Sequence, residues 1–211
     1  MIISHKHKFI FVKLRKTAGT SLEIALSGIC GDEDVITPIS ANDEKVRLEM
    51  GFRGAQHFDG NTAFYNHMPA SEIKQNIPAG MWNDYFKFCF ERNPWDKVVS
   101  HYFHRNRAGG FTGIKDYLLH DEKDKIRSFD MYSIDGSVVM DKVYMYEDME
   151  YALKEISMKL NLAEAIELPP YKAKSQFRTD KRHYKEILSE EEIDLIGKRY
   201  AREIAYMGYK P

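Results

Sequence analysis

The sequence is short of features that mark whole classes of protein. It has two cysteines in 211 residues, Cys30 and Cys89. Two cysteines cannot build a disulfide framework, and neither has a neighbour at metal-ligand spacing. Cys89 lies in the apolar run FKFCF and reads as a core residue. No apolar run approaches the roughly 20 residues of a membrane helix, and no charged-then-apolar leader opens the chain. A cytoplasmic protein with no membrane span is the expectation. Excess charge of one sign is missing too: the net charge is -1, which disfavours a nucleic-acid partner or a membrane-surface role. There is no internal repeat, no low-complexity linker and no cluster of metal ligands, so no metal is expected. The G-x-x-x-x-G-K-[ST] order of a nucleotide triphosphatase is also absent.

What is present suits one domain over residues 1–211, possessing a sizeable core and room for an inserted subregion. Hydrophobic residues make up 43% and charged residues 30%, ordinary for a soluble globular protein. A first strand is expected at Lys8 to Leu14, its run FIFV covered on both faces as in a parallel sheet. A helix follows from Gly19 or Thr20, ended by Gly28 and Gly31. Beyond a polar stretch with a short helical pattern at Asn42 to Met50, a short strand is expected at Thr62 to Asn66 and a helix at Ser71 to Gln75. A strong strand, Tyr85 to Glu91, runs into Arg92-Asn93-Pro94, where Asn93 can cap a helix and Pro94 can occupy its first turn. Lys142 to Tyr146 reads as a strand and Met149 to Leu160 as a helix. Ser189 and Glu192 form a capping box for one last helix, with Ile193, Ile196, Tyr200 and Ile204 on its apolar side. Strands alternating with helices argue for an α/β layered domain with a mostly parallel sheet.

Two stretches look built for anions. In FIFVKLRKTAGTSLEIAL a strand enters a glycine-containing loop and then a helix. A helix start offers unpaired N–H groups and the positive end of the dipole. Gly19 permits close approach, Thr20 and Ser21 add hydroxyls, and Lys16 adds a charge. In FERNPWDKVVSHY, Arg92 ends a strand and Ser100 lies eight residues on, two turns into the next helix. A guanidinium can grip a phosphate through two donors and a hydroxyl adds another. Each stretch also has a plainer reading, a capped helix after a basic turn and an arginine paired to a carboxylate. The basic clusters, Lys6, Lys8, Lys13, Arg15 and Lys16 early and Lys172 to Lys185 late, read singly as solvated faces. Open α/β sheets bind ligands beyond the carboxyl ends of their strands, so two such sites imply one ligand with two separated phosphate-like groups.

Together these stretches resemble the paired motifs of the sulfotransferases that use 3′-phosphoadenosine 5′-phosphosulfate (PAPS), especially the carbohydrate-type group, family 2-like. KTAGTS matches the core of the family's 5′-phosphosulfate loop, and R-N-P-x-x-K-x-x-S-x-Y matches its 3′-phosphate motif. VYMYEDMEYALKEISMKLNL and the ending MGYKP are also similar, more loosely. Arg15 stands where relatives usually have proline. The resemblance implies a three-layer, P-loop-NTPase-like α/β domain with a central mostly parallel sheet flanked by helices. It implies that Arg15, Lys16, Thr17, Ala18, Gly19, Thr20 and Ser21 hold the 5′-phosphosulfate, with Lys16 catalytic at the leaving bridging oxygen. Arg92 and Ser100 then hold the 3′-phosphate. Ser175 and Arg178, in a late basic segment, are expected to reach the 3′-phosphate or adenine, and Trp95 packs either there or in the core. PAPS is the expected co-substrate and a hydroxyl, first of all on a glycan, the expected acceptor.

The acceptor proton needs a base. His67 in FYNHMPASEIK fits a family pattern in which a His-x-Pro turn supplies it, and imidazole is neutral near pH 7. His57 is the reserve and Glu23 a carboxylate to weigh, while His101 and His104 read as packing or surface groups. Two other activities fit less of the sequence. A small-molecule kinase with a degenerate phosphate loop is one, and a nucleotide-binding module without catalysis is the other. Acceptor identity and oligomeric state leave no trace in the residues.

Overall fold

Two short apolar runs, FIF and FKFCFE, form the centre of the fold. The computed structural model describes residues 1–57, 64–120, 126–170 and 177–211. Its strands in chain order are β1 (Ile2–Ser4), β2 (Phe9–Phe11), β3 (Val35–Ile36), β4 (Phe86–Glu91), β5 (Ser133–Ile134), β6 (Ser137–Val138) and β7 (Lys142–Met145). Five of them form one sheet in the order β3-β1-β2-β4-β7, and β5 and β6 form a separate hairpin. β2, β4 and β7 are parallel, with Phe11 opposite Phe88 and Phe90 opposite Tyr144. β1 is antiparallel to both β2 and β3. Only β1 therefore runs against the other four.

The helices are α1 (Gly19–Ser27), α2 (Ala41–Glu49), α3 (Ala70–Gln75), α4 (Ala79–Asp84), α5 (Pro94–Arg105), α6 (Ile114–His120), α7 (Phe129–Tyr132), α8 (Met149–Lys159), α9 (Tyr184–Ile187), α10 (Glu190–Arg199) and α11 (Ala201–Met207). Side chains alternate across the sheet and sort into two cores. Phe9, Phe11, Phe88, Phe90 and Tyr144 pack with Leu22, Ala25 and Leu26 of α1 and with Leu153 and Ile156 of α8. Ile10, Val12 and Cys89 face the other way, against Ile73 of α3, Trp82 of α4 and Phe129 and Tyr132 of α7. Each fully buried side chain of this size contributes about 1.5–3 kcal/mol. A third cluster joins Trp95, Val98 and Val99 of α5 to α6, α9 and α10. Helices thus flank a mixed α/β sheet on both faces.

Several expectations are corrected. The strand expected at Lys8 to Leu14 is shorter, because Lys8 sits at φ 52° in the turn after β1. Beyond Phe11 the pairing continues only as Val12 N–H to the Phe88 carbonyl, 3.0 Å. β1 and β3, three and two residues long, escaped the sequence reading. The strand expected at Thr62 to Asn66 is not formed at residues 64–66; positions 62 and 63 lie outside the described residues. The last helix is two, α10 and α11, broken at Tyr200 (φ -109°). The Asn93 cap forms as expected, accepting from Trp95 N at 3.1 Å and Asp96 N at 3.3 Å. The Ser189–Glu192 capping box also forms.

Because β2 and β4 are parallel neighbours, their carboxyl ends lie side by side. The loops after them, residues 12–18 and 92–93, therefore open at one sheet edge.

Candidate active site

The first loop departs from ordinary backbone. Lys16 (φ 64°) and Ala18 (φ 56°) are left-handed although neither is glycine, a strain of order 1–3 kcal/mol each. Alternating hand turns successive N–H groups toward one concavity that suits an anion. No side chain caps α1 at Ala18, so its first N–H groups stay available. Gly19 packs on the strand end: a Cβ there would lie 2.7 Å from Lys13 Cγ and 3.2 Å from the Leu14 carbonyl. The hydroxyls of Thr20 and Ser21 line a cavity and have no partner among the described residues. Thr17 differs from expectation. Its buried hydroxyl donates to the Leu14 carbonyl at 3.3 Å, and its side chain does not line the cavity.

Beneath this loop lies a buried ion pair. Lys13 Nζ donates to Glu23 of α1, which also meets the Met1 α-amino group. Burial alone pushes the Glu23 carboxyl up, but the two cations outweigh it and hold it below the carboxylate range. Lys13 is thus no solvated lysine, only 3% exposed. Glu23 is fully buried, which removes it as a candidate base.

Arg92, at the end of β4, faces the first loop. Its Nη1 donates to the Lys16 carbonyl at 3.0 Å, its Nε to Asp96 Oδ2 at 2.9 Å and its Nη2 to the same oxygen at 2.5 Å. The guanidinium also lies 4.3 Å from the Tyr146 ring centroid. A guanidinium has five N–H donors, so two remain. Arg178 comes from 82 residues away to the other Asp96 oxygen at 2.6 Å. Burial opposes the Asp96 charge, and the two arginines overcome it and lower its pKa. The hydroxyl of Ser100 faces the same cavity with no partner among the described residues. Trp95 does not: it is 2% exposed, donates to the Ile193 carbonyl at 3.0 Å and stacks on Tyr184. The adenine contact considered for it is replaced by core packing. Ser175 lies outside the described residues.

Under this second loop is another buried pair. Lys97 of α5 donates to Glu91 Oε1 at 2.6 Å and to Ser128. Glu91 also accepts from Arg92 N at 2.9 Å and from Ser128 Oγ at 2.7 Å. Asn93 N donates to Glu147 at 2.8 Å, and Tyr209 donates to the other oxygen of that carboxylate at 3.0 Å.

His67 lies in the turn before α3, left-handed at φ 63° and anchored by buried Met68. Its Nδ1 is 3.0 Å from the Lys13 carbonyl. A carbonyl only accepts, so Nδ1 carries the proton and Nε2 keeps its lone pair. Burial, then the charges of Lys13 and Arg15, push its pKa down to about 3. His57 is elsewhere, its Nε2 against the Asp32 carbonyl, and does not line the cavity. His101 and His104 do line it, so the packing reading given to them was incomplete. His101 is nevertheless 5% exposed.

One cavity of about 630 Å³ takes in Arg15, Lys16, Ala18, Gly19, Thr20, Ser21, His67, Arg92, Ser100 and Arg178. Tyr146, Leu168, Pro169 and Lys181 extend it. The two anion stretches, expected at some distance from each other, share this space and touch through Arg92 and Lys16. A model of the sulfotransferase family matches residues 1–210. The chain belongs to the sulfotransferase family. Its activity is accordingly sulfuryl transfer to a hydroxyl-bearing acceptor. An uncharacterized protein of Archaeoglobus fulgidus is 29% identical over 113 residues, covering 48% of this chain and 88% of that relative. No helix among the described residues is long and apolar enough to cross a membrane.

What sequence reasoning missed here are the partners. Asp96, one helical turn from Arg92, was the readable signal for an arginine clamp. Lys13–Glu23 and Asp96–Arg178 carried no local signal.

Proposed function

We propose that this sulfotransferase takes its sulfuryl group from PAPS and delivers it to a hydroxyl, first of all on a carbohydrate, with residues 1–211 acting as one domain. The observation that carries the reading is the shared cavity. It gathers three hydroxyls that have no partner among the described residues, a loop with left-handed Lys16 and Ala18, and the spare donors of Arg92 in one space. This donor set fits a ligand with two phosphate-like groups.

In this reading the backbone around Lys16 to Gly19, with Thr20 and Ser21, holds the 5′-phosphosulfate. Arg92 and Ser100 hold the 3′-phosphate, and Arg178 closes over it from the late segment; Ser175 belongs to the same proposal. His67 Nε2 takes the acceptor's hydroxyl proton as that oxygen bonds to sulfur. The bond from sulfur to the 5′-phosphate oxygen breaks, and Lys16 and Arg15 neutralise the charge that gathers there. A pKa of about 3 makes His67 a weak base in the unliganded protein. Negative charge beside it favours the imidazolium, so the bound donor moves it toward the pKa that proton transfer near neutrality requires.

A thermal-shift comparison tests the reading. Adenosine 3′,5′-bisphosphate at a hundred times its Kd adds about 2.7 kcal/mol, or roughly 5–10 °C for a chain of this size. ATP is expected to give much less. An ATP shift equal to or larger than that of the bisphosphate overturns the proposal in favour of a nucleoside triphosphate.

A further inference from the structure

The cavity holds a second histidine whose setting is the chemical complement of the first. His101 lies on α5, next to Ser100, and lines the cavity together with Lys16 and Arg15. Its Nδ1 is 2.6 Å from the Tyr117 hydroxyl of α6, and the ring meets Tyr117 edge-on at 5.8 Å. His104 stacks beside it at 6.3 Å. The Nε2 of His101 has no hydrogen-bond partner among the described residues. The positive groups that act on it are Lys16, His104, Arg105 and Arg15. A neutral imidazole is favoured there, first by burial and then by those charges.

The contrast with His67 lies in the partner of Nδ1. His67 faces a carbonyl, which can only accept. His101 faces a phenol, which can donate. A donating Tyr117 puts the remaining proton on Nε2. One cavity then has an imidazole that accepts and an imidazole that donates, and the donor is the one on which the Lys16 charge acts, where an anion needs donors.

We propose that His101 is a second functional histidine of this sulfotransferase, its Nε2–H donating to an anionic oxygen of the bound phosphosulfate, with Tyr117 as the positioning residue that fixes this tautomer. The role rests on the PAPS reading above. As the sulfuryl group moves, charge grows on the phosphate oxygen it leaves, and a fixed neutral donor stabilises that charge without a proton changing hands.

Ring-nitrogen NMR of the whole protein gives the direct test. His101 is expected to show a protonated Nε2 and a bare Nδ1, and His67 the reverse. On adding PAPS without acceptor, the His101 Nε2 signal is expected to move. A proton on His101 Nδ1, or a His101 signal unmoved by PAPS that binds, overturns the proposal while leaving PAPS as donor. If neither PAPS nor adenosine 3′,5′-bisphosphate binds, both readings fall. Kinetics add a second arm. His101→Phe keeps the bulk and removes the donor, and kcat is expected to fall roughly a hundredfold with the KM for PAPS within about threefold. His101→Gln, which offers an N–H at the position of Nε2, is expected to recover most of that loss. Tyr117→Phe is expected to lower kcat about tenfold and to shift His101 toward the Nδ1–H tautomer in the same spectra. A folded His101→Phe variant with undiminished kcat contradicts the proposal; should that variant not fold, the spectra of the unaltered protein still decide.

Discussion

The two loops of the cavity are built on the same plan with the charges exchanged. After β2, a lysine two residues past the strand, Lys13, pairs with a glutamate on the following helix, Glu23. After β4, a glutamate at the strand end, Glu91, pairs with a lysine on the following helix, Lys97. All four side chains are at most 3% exposed. Each pair ties a strand to its helix beneath a loop that must present backbone and side-chain donors without collapsing. A buried pair is weak evidence of net stability, yet breaking one leaves an uncompensated charge. The difference is in what lies above. The first loop is strained and offers N–H groups, hydroxyls and Lys16. The second is capped by Asn93 and offers Arg92, held by Asp96 together with Arg178. In our account the first loop does chemistry and the second holds the nucleotide.

Substitutions can pull that division apart. The largest loss is expected for His67→Asn. Asparagine tolerates a positive φ and can still donate to the Lys13 carbonyl, but it has no base. Turnover should fall roughly 10²–10⁴-fold while calorimetric affinity for adenosine 3′,5′-bisphosphate stays within about threefold. An equal loss of affinity would make His67 a binding residue instead. Next comes Lys16→Ala, expected to lower kcat about 10²–10³-fold; an effect confined to KM would remove Lys16 from the chemistry. Below these lie the two buried pairs. Glu91→Gln and Glu23→Gln should each destabilise the protein by about 3–5 kcal/mol in urea unfolding, and a loss below about 1 kcal/mol in either would break the parallel between the loops.

The smallest effect is on pH dependence. His67 and His101 both have pKa values lowered from 6.5 to about 3. These two imidazoles therefore bind up to two fewer protons in the folded protein than in the unfolded chain between those values. Their contribution to stability should be whole above about pH 6.5 and decline as pH falls toward 3. In His67→Asn the decline should be shallower by up to one proton, as unfolding midpoints at pH 5 and pH 7 would show.

Much of this was legible in the residues. The runs FIF and FKFCFE, the glycine at 19 and the Asn93-Pro94 pair encode strand, loop and helix start locally, and they fell where periodicity and capping put them. β1 and β3 were too short to show a period, and Tyr200 breaks the last helix without a glycine or proline to announce it. The ion pairs were hidden for a different reason. Lys13 and Glu23 are ten residues apart and Asp96 and Arg178 eighty-two, separations that only the folded sheet edge closes. His101 was passed over because its role depends on Tyr117, sixteen residues away on another helix.

The claim that two loops grip opposite ends of one nucleotide is tested most directly by calorimetry with adenosine 3′,5′-bisphosphate and adenosine 5′-phosphate, on the unaltered protein and on Arg92→Ala. Charge-assisted hydrogen bonds of about 1.5–3 kcal/mol predict a preference of roughly ten- to a hundredfold for the bisphosphate, lost in the variant. Equal affinity for the two nucleotides in the unaltered protein, or a preference that survives Arg92→Ala undiminished, would contradict the account.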